Sequence, residues 1–300
     1  MLDIKKIRSE YETKGYAILR NVIDKGLLAE ANEHIKWLGN KYPDLRPEHY
    51  HHPLMRDDAF WVRLVTDRRL LDIAEVILGA DLARFTAHYI CKPPHTGQPV
   101  FWHQDGAYWK LAPMEALTVW LAVDESTPEN GCLRIIPGSH NIPLDVPELR
   151  TDSPNMLYSS IRQELVDEWI RRAGVVDIIL QPGDVSIHHP KIIHCSEPNH
   201  SHKRRCGLDM GFIRTSTSIS NSGLYLDPLL VRGKAIPEIN NYRHWPEFHP
   251  IESIPFRGHQ QWNEDIKARN FGLDRPARPE SPIELTLRMI DRLKSGTVKQ

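Results

Sequence analysis

The sequence Phe101-Trp102-His103-Gln104-Asp105 predicts a short β-strand that carries metal-binding side chains. Side chains two positions apart on a strand point to the same face of the sheet. His103 and Asp105 would therefore aim at one point in space, while Gln104 points away. An imidazole and a carboxylate placed in this way are two of the three ligands of a 2-His-1-carboxylate metal site.

A second segment, later in the chain, offers a third ligand and a cation. His194 opens the run His194-Cys195-Ser196-Glu197-Pro198-Asn199, and Arg205 follows 11 residues after it. Two histidines and one carboxylate cover one face of an octahedral Fe(II) ion and leave the other face open. The open positions can hold a bidentate 2-oxo acid and dioxygen, which a closed four-ligand zinc site could not. With the distant arginine, this set is typical of a non-haem iron site with an anionic co-substrate.

The His-x-Asp triplet alone is weak evidence for a site. The chain contains 16 His and 39 acidic residues among 300, and a single such triplet is no more than chance predicts. A strand with a polar face explains it equally well. Five other histidines lie in polar, loop-like segments and are expected to be solvated: His49, His51, His52, His200 and His202. The interpretation therefore depends on the residues around the triplet.

Composition excludes several classes of protein. Hydrophobic residues at 40% and charged residues at 26% describe an ordinary globular chain, and 300 residues fit one large β-rich domain. A formal charge of −1 gives no electrostatic case for nucleic acid or an anionic membrane. No apolar run is long enough to span a bilayer, and the first residues lack the apolar core of a signal peptide. We therefore expect a cytoplasmic protein.

The four cysteines, Cys91, Cys132, Cys195 and Cys206, are widely spaced, and none forms a C-x-x-C pair. Four scattered cysteines in a chain of this length favour free thiols in a reducing compartment over a disulfide framework. The spacings also argue against a zinc site built from all four thiolates.

The first 82 residues are expected to be mostly helical. Apolar residues recur at helical spacing over residues 4–11, 27–38 and 64–78. Gly39 and Gly79 are predicted to end the second and third of these helices. A short strand is expected over residues 15–19 and a loop over residues 42–53.

From residue 83 onward, short strands are predicted between Pro, Gly and Asn breaks. The runs are residues 83–91, 98–105, 117–123, 131–136, 175–180, 185–189 and 206–214, with an inserted helix at 164–173. This pattern favours a mainly β sandwich or barrel with flanking helices. The tail is irregular and Pro-rich, and it ends in a helix at 282–293 that could dock on its own domain or on a second subunit. We expect a single domain with a helical flank (1–82), a core (83–215) and a C-terminal extension (216–300).

Five blocks carry a resemblance to a known family. They are Lys92-Pro93-Pro94, Trp102-His103-Gln104-Asp105, the Asn130-Gly131-Cys132-Leu133 to Pro137-Gly138-Ser139-His140 segment, Gly183-Asp184 with His189-Pro190, and His194-x-Ser196-x-x-Asn199 with Arg205. In order and spacing, these blocks resemble the phytanoyl-CoA dioxygenase family of Fe(II)/2-oxoglutarate-dependent oxygenases. The resemblance covers about residues 85 to 215. It implies a double-stranded β-helix, or jelly-roll, with the metal at its open end.

The resemblance implies that His103, Asp105 and His194 bind the iron. His188 and His189 are rivals for the third ligand position, but the family's pattern places the ligand at His194. The ordinary interpretation of His188 and His189 is that one is exposed and the other is packed in a strand.

The resemblance also implies a co-substrate site. Arg205 would bind the far carboxylate of 2-oxoglutarate, because a guanidinium fork suits a carboxylate; Arg204 would then face solvent. Ser196 would add a hydrogen bond to the same carboxylate. Trp120 matches an aromatic position that lines this pocket, although core packing explains it almost as well, and His88 matches a position of frequent co-substrate contact.

Substrate contacts are open at this level. Four aromatic residues could wall the cavity or simply form core: Phe101, Trp102, Tyr108 and Trp109. Arg134 and Arg214 could anchor an anionic substrate or face solvent. The variable loops expected to contact substrate are residues 42–60, 141–160 and 216–261. Five aromatic residues of the tail could form a lid or pack on the outside of the barrel: Tyr225, Tyr242, Trp245, Phe248 and Trp262.

The implied reaction is hydroxylation, or another C–H oxidation, of a small molecule with release of succinate and CO2. Halogenating relatives have a small residue where this chain has Asp105, so halogenation is not expected. Fe(II), 2-oxoglutarate and dioxygen are the implied cofactors and co-substrates, and the substrate is expected to be a secondary metabolite, acyl or amino-acid-like compound. Nucleic-acid and membrane partners are not expected, and the protein would be a monomer or homodimer. Two alternatives are a cupin-like metalloenzyme that does not use 2-oxoglutarate, and a jelly-roll binding protein without catalysis.

Overall fold

The computed structural model describes residues 3–220, 228–270 and 281–296. Within these ranges the helices are α1 Ile4–Lys14, α2 Lys25–Lys41, α3 Ala59–Val65, α4 Arg68–Leu78, α5 Gln163–Ala173, α6 His259–Arg269 and α7 Pro282–Ser295. The strands of the first half are β1 Tyr16–Leu19, β2 Leu82–Lys92, β3 Val100–His103, β4 Leu111–Ala112, β5 Ala116–Ala122, β6 Leu133–Ile135 and β7 Glu148–Leu149. Those of the second half are β8 Ser159–Ser160, β9 Val176–Ile178, β10 Val185–His188, β11 His194–Ser196, β12 Arg205–Arg214, β13 Ser218–Ile219 and β14 Leu229–Arg232.

Two antiparallel sheets form the core. The larger has the strand order β1-β10-β5-β12-β2-β14, and the smaller has the order β3-β11-β6-β9. Side chains of both sheets meet in one apolar cluster, where Trp120 of β5 packs with Leu133 and Ile135 of β6. The predicted mainly β fold with flanking helices and a jelly-roll core is confirmed. Strands β1 and β14, which lie outside residues 83–215, also belong to the larger sheet.

The period-2 alternation of the larger sheet separates a helix-packed face from an inner face. On β5, Leu117, Val119 and Leu121 pack in the same buried cluster as helices α2, α3 and α4. The intervening Thr118 and Trp120 point to the opposite face, towards the smaller sheet. Helix packing on one face thus leaves the other face free for polar and functional side chains.

The helical elements differ from the sequence prediction in three places. The region predicted as one helix at 64–78 is divided between α3 and α4, because Asp67 caps a new helix by accepting a hydrogen bond from the Arg69 N–H. Gly79, with φ 87°, follows α4 as predicted, but Gly39 lies inside α2. Helix α6 was not predicted.

The prediction of four free thiols is wrong for two of them. Cys91 and Cys206 form a disulfide, and Cys132 and Cys195 are free and buried. The antiparallel register of β2 and β12 places Cys91 directly opposite Cys206, although 115 residues separate them in sequence. This pairing also excludes a zinc site of four thiolates.

The tail packs in two places. Trp245 is buried with the N-terminal helices, and Phe248 and Trp262 pack against the same cluster, so these residues lie on the outside of the barrel. Tyr242 packs against a separate cluster that includes Phe85. Tyr225 lies outside the described residues. Helix α7 docks on its own domain, one of the two predicted possibilities. No helix in the described ranges is both long and apolar enough to cross a membrane.

Candidate active site

The structure brings His103, Asp105 and His194 together. His103 ends β3 and is paired in register with His194, the first residue of β11. Asp105 lies just beyond β3, at the start of a short 3₁₀ helix. Its Oδ1 is 3.3 Å from Nε2 of His103 and 3.4 Å from Nε2 of His194. The three ligand atoms all lie within 4.8 Å of one another, an arrangement that could hold a metal ion.

The backbone fixes the orientation of both imidazoles. Nδ1 of His103 donates to the Phe101 carbonyl at 2.8 Å, and Nδ1 of His194 donates to the Ile192 carbonyl at 3.0 Å. A carbonyl can only accept, so Nδ1 of each ring carries a proton, and Nε2 is the nitrogen that faces Asp105 and would bind a metal once it is deprotonated. Such outer contacts hold ligating histidines in position in metal sites.

The second carboxylate oxygen of Asp105 is held by two other groups. Oδ2 accepts hydrogen bonds from the Thr118 hydroxyl at 2.8 Å and from Nε2 of His188 at 3.1 Å. Burial alone would raise the pKa of Asp105. The charge of His194 and the hydrogen bonds from His103, His188 and His194 instead hold that pKa well below its usual range. Asp105 is therefore ionised and oriented before any ligand binds.

The two rival histidines occupy different places. His188 is buried, contacts Asp105 and does not belong to the cluster of three possible ligands. His189 is half-buried and packs near Tyr11, so neither ring is exposed as the sequence interpretation had expected for one of them. From the sequence, His188 was expected to be either a rival ligand or an ordinary strand histidine, and its contact with Asp105 was not predicted.

A cavity of about 110 Å³ lies between the two sheets, with the three residues in its wall. Arg205, Ser196, Trp120 and His88, the four predicted co-substrate residues, all line it. The cavity therefore collects residues from β2, β5, β11 and β12 that are far apart in the sequence.

Arg205 is a buried cation that has no anionic partner among the residues that the structure describes. It is 2% exposed. Its guanidinium donates to the carbonyl of Gly131 at 2.6 Å and to that of Ile90 at 3.3 Å, while Nε has no partner in the described part of the chain. Burial lowers the pKa of Arg205 to about 10. By contrast Arg204, half-buried and not solvated as predicted, pairs with Asp124 at 2.8 Å. A buried charge without a counter-ion destabilises the protein. A group that binds an anionic ligand is expected to be in this state before the ligand binds.

Lys92 supports Ser196 from behind the cavity. The ammonium of Lys92 is fully buried and donates to the Ser196 hydroxyl at 2.7 Å. It also donates to the main-chain carbonyls of Ser196 and Glu197. Lys92 is the donor in all three contacts, which leaves the Ser196 hydroxyl proton available to an acceptor in the cavity. The sequence block Lys92-Pro93-Pro94 was noted, but no role for this lysine was predicted.

Trp120 lies between the cavity and Gly207. A Cβ atom at position 207 would overlap the Trp120 ring, so only glycine leaves room for the indole there. The Arg205 guanidinium lies 5.6 Å from the centre of the same ring. Trp120 therefore packs with the core, as one interpretation expected, and also walls the pocket beside Arg205.

The segment 49–52 is buried, contrary to the expectation of solvated histidines. His49 is 5% exposed, His51 5% and His52 3%, whereas His200 and His202 are exposed as predicted. A bridge between Tyr50 and Tyr89 of β2 draws this segment against the larger sheet. His51 thereby reaches the cavity, where its ring centre lies 5.3 Å from that of His88.

The remaining candidates lie in the cavity wall, in a separate packed cluster or on the surface. Tyr108 and Trp109 line the cavity, while Trp102 packs against a separate cluster with Trp169. Arg134 pairs with Asp177 and Glu197 on the surface. Arg214 is exposed.

Met156 and Leu157 line the cavity and lie in the 141–160 loop, which was expected to contact substrate, whereas Asp209, Met289 and Leu293 line it from outside the expected loops. Helix α7 places Met289 and Leu293 against Tyr108 at the cavity wall. The described part of residues 216–261 does not reach the cavity.

The chain matches known proteins in sequence. Residues 11–207 match the family model described as phytanoyl-CoA dioxygenase (PhyH), and the chain belongs to this family. It is 29% identical over 176 residues to a probable alpha-ketoglutarate-dependent hypophosphite dioxygenase of Stutzerimonas stutzeri, covering 57% of this chain and 60% of that protein. It is 31% identical over 147 residues to the ectoine dioxygenase of Sphingopyxis alaskensis, covering 46% and 48%. The matched region thus spans about half of these relatives.

A solved structure resembles the fold over almost its whole length. The apo form of the non-heme monooxygenase ThoJ aligns with a TM-score of 0.65 over 97% of this chain and 99% of that chain, at 20% identity. At this identity the likeness shows the fold and leaves the activity to be inferred from the site.

Proposed function

We propose that this protein is a Fe(II)/2-oxoglutarate-dependent dioxygenase. It would hydroxylate, or otherwise oxidise at a C–H bond, a small organic molecule and release succinate and CO2. One observation carries the proposal: a buried arginine that has no carboxylate partner within residues 3–220, 228–270 and 281–296 lines the same cavity as a His-Asp-His cluster. Membership of the phytanoyl-CoA dioxygenase family supports the same conclusion.

The three clustered side chains suit Fe(II). His103, Asp105 and His194 supply two neutral nitrogen donors and one carboxylate, the donor set of non-haem iron oxygenases. Bound iron would supply the site for dioxygen and for the keto-acid end of the co-substrate, whose oxidative decarboxylation provides the oxidising power. The protein's part is to hold the three donors in place through the Phe101 carbonyl, the Ile192 carbonyl and the contacts to Asp105.

Arg205 and Ser196 are proposed to bind the far carboxylate of 2-oxoglutarate. A guanidinium can contact a carboxylate through two parallel hydrogen bonds, and the charge would compensate that of Arg205. Lys92 keeps the Ser196 hydroxyl in place, with its proton available for the same carboxylate. Trp120 would cover one side of the co-substrate chain, and His88 would be a further contact.

Part of the cavity wall is apolar and would exclude water. Met156, Leu157, Met289 and Leu293 contribute this wall, and the last two belong to α7. A dry pocket limits side reactions of a reactive oxidant. A small-molecule substrate with an apolar part would fit between this wall and the three ligands.

Anaerobic titration of the purified protein with Fe(II) and 2-oxoglutarate tests the proposal. We expect a visible metal-to-ligand charge-transfer band that needs both additions, and succinate release once oxygen and substrate are supplied. A screen of acyl-CoAs, amino acids and terpenoid acids would search for the substrate. The absence of both the band and any succinate would count against the proposal and favour a cupin-like enzyme of another type or a binding protein.

The other expectations stay predictions. The substrate type, the state as monomer or homodimer, and the cytoplasmic location are not fixed by the site. Cys91 and Cys206 form a disulfide, so the cytoplasmic location no longer has the support of four free thiols.

A further inference from the structure

We propose that Asp209 binds the ammonium group of an amine substrate, with His51 and His88 as additional hydrogen-bond acceptors. The inference rests on the proposed function, because it names the substrate class of the same cavity. It follows from the position of Asp209, from the charges of the cavity and from the unpaired histidine nitrogens.

Asp209 lies in the middle of the inner face of the larger sheet. In register it is opposite His88 on β2 and opposite Trp120 on β5, and all three side chains line the cavity. Directly paired residues of an antiparallel sheet have their Cβ atoms about 5 Å apart. Arg205 lies four positions earlier on the same strand, with Gly207 between them. One strand thus presents a cation and an acid to a single cavity.

The charges of the cavity leave Asp209 without a partner. Three cavity residues carry side chains that are ionised at neutral pH in water: Asp105, Asp209 and Arg205. Asp105 is held by histidines and Thr118, and Arg205 is reserved for the co-substrate in the proposed function. Asp209 has neither a hydrogen bond nor an ion pair with any residue that the structure describes. A carboxyl group in such a place becomes stable as an anion when a ligand brings a cation to it.

The protonation of Asp209 agrees with this assignment. Burial, followed by repulsion from Asp105, raises the pKa of Asp209 well above its usual range. A bound ammonium would stabilise the ionised carboxylate against both of these effects. An anionic substrate would be repelled by the charge of Asp105, as the ionised form of Asp209 is.

The two histidines complete a set of acceptors. His51 is buried, and both of its ring nitrogens lack a partner among the described residues; the same holds for Nδ1 of His88. Burial lowers the pKa of both rings, that of His88 to about 4, so each is neutral and offers one acceptor nitrogen. A primary ammonium has three N–H donors, which matches one carboxylate and two imidazoles. The apolar wall with Met156, Leu157 and Met289 would then contact the carbon skeleton of the amine.

Isothermal titration calorimetry on the anaerobic protein loaded with Fe(II) and 2-oxoglutarate tests the inference. The probes are n-hexylammonium chloride, 1-hexanol and sodium hexanoate, which share one apolar chain and differ in charge. We expect n-hexylammonium to bind roughly tenfold or more tightly than 1-hexanol, as for a buried charge-assisted hydrogen bond, and hexanoate to bind most weakly. Asp209→Asn should remove the preference for the ammonium. Asp177→Asn, a matched change in an exposed pair with Arg134, should retain it.

Two results would overturn the inference: equal or tighter binding of 1-hexanol or hexanoate by the native protein, or an ammonium preference that persists in Asp209→Asn. The charge-transfer band of the loaded protein separates this failure from failure of the proposed function. If the band forms and the preference is absent, only the amine assignment is wrong. If the band does not form, the comparison of n-hexylammonium with 1-hexanol on the metal-free protein still decides the role of Asp209. Should Asp209→Asn not fold, the order of the three probes on the native protein decides it.

Discussion

Nε2 of His188 lies 3.1 Å from Oδ2 of Asp105. His103 and His194 lie nearest to the other carboxylate oxygen, Oδ1. His188 thus holds one side of the carboxylate while the other side faces the two proposed iron ligands. This contact gives a structural role to a histidine that the sequence suggested only as a rival ligand or as an ordinary strand residue.

Removal of this contact should weaken metal binding. We expect His188→Ala to lower the affinity for Fe(II) about 10- to 100-fold, as is usual for a residue that orients a metal ligand. His188→Gln should recover most of the affinity, since its amide can still donate to Asp105. Anaerobic Fe(II) titration measures both variants, with His200→Ala, an exposed histidine, as the control. Equal loss in the alanine and glutamine variants would contradict an orienting role.

Arg205→Gln should mainly impair co-substrate binding. The variant loses the charge that would hold the far carboxylate, so KM for 2-oxoglutarate should rise roughly 10- to 100-fold. Succinate formation over a range of 2-oxoglutarate concentrations gives KM and kcat separately. Arg134→Gln, which changes a surface arginine paired with Asp177 and Glu197, should leave KM unchanged. If Arg205→Gln leaves the metal-dependent reaction unchanged, a cupin-like enzyme without 2-oxoglutarate becomes the better interpretation.

The parts of the site predicted from sequence depend on local spacing. Turn residues and apolar runs marked the strands, and separate blocks supplied His103, Asp105 and His194. The strand argument for Asp105 was wrong in detail, since β3 ends at His103 and a 3₁₀ turn carries the aspartate. The structure nevertheless places His103 and Asp105 side by side, as the strand argument predicted.

The parts that were missed depend on pairing between distant segments. Asp209 faces the cavity only because of the register of β12 with β2 and β5, which no local pattern reveals. Met289 reaches the cavity only because α7 folds back over it. The bond between Cys91 and Cys206 has the same origin. The sequence shows which residue types are present. Without the strand register, it does not show which of them lie next to one another.

Stability should fall as the pH drops below 6.5. Burial lowers the pKa of His49 to about 4, below the value near 6.5 of an unfolded chain. The unfolded state therefore takes up a proton first as the pH falls from 6.5 to 4, and the native state loses up to about 3 kcal/mol from this group. Urea midpoints at pH 7.5 and 4.5 should differ less in His49→Gln than in the native protein. His202→Gln, at an exposed position, should keep the native pH dependence; an unchanged difference in His49→Gln would contradict the assignment.

Asp105→Ala should abolish the proposed reaction. Asp105 is the acidic member of the clustered ligands and is ionised at neutral pH, so its loss leaves two neutral imidazoles to hold a dication. We expect Fe(II) affinity and succinate formation to fall by about 100-fold or more, beyond the effect of an orienting residue. The charge-transfer band and the iron content after desalting measure the first effect, and succinate release measures the second. Asp177→Ala removes an exposed carboxylate and should behave as the native protein. Stoichiometric iron with undiminished succinate formation in Asp105→Ala would refute the assignment of this carboxylate as a ligand.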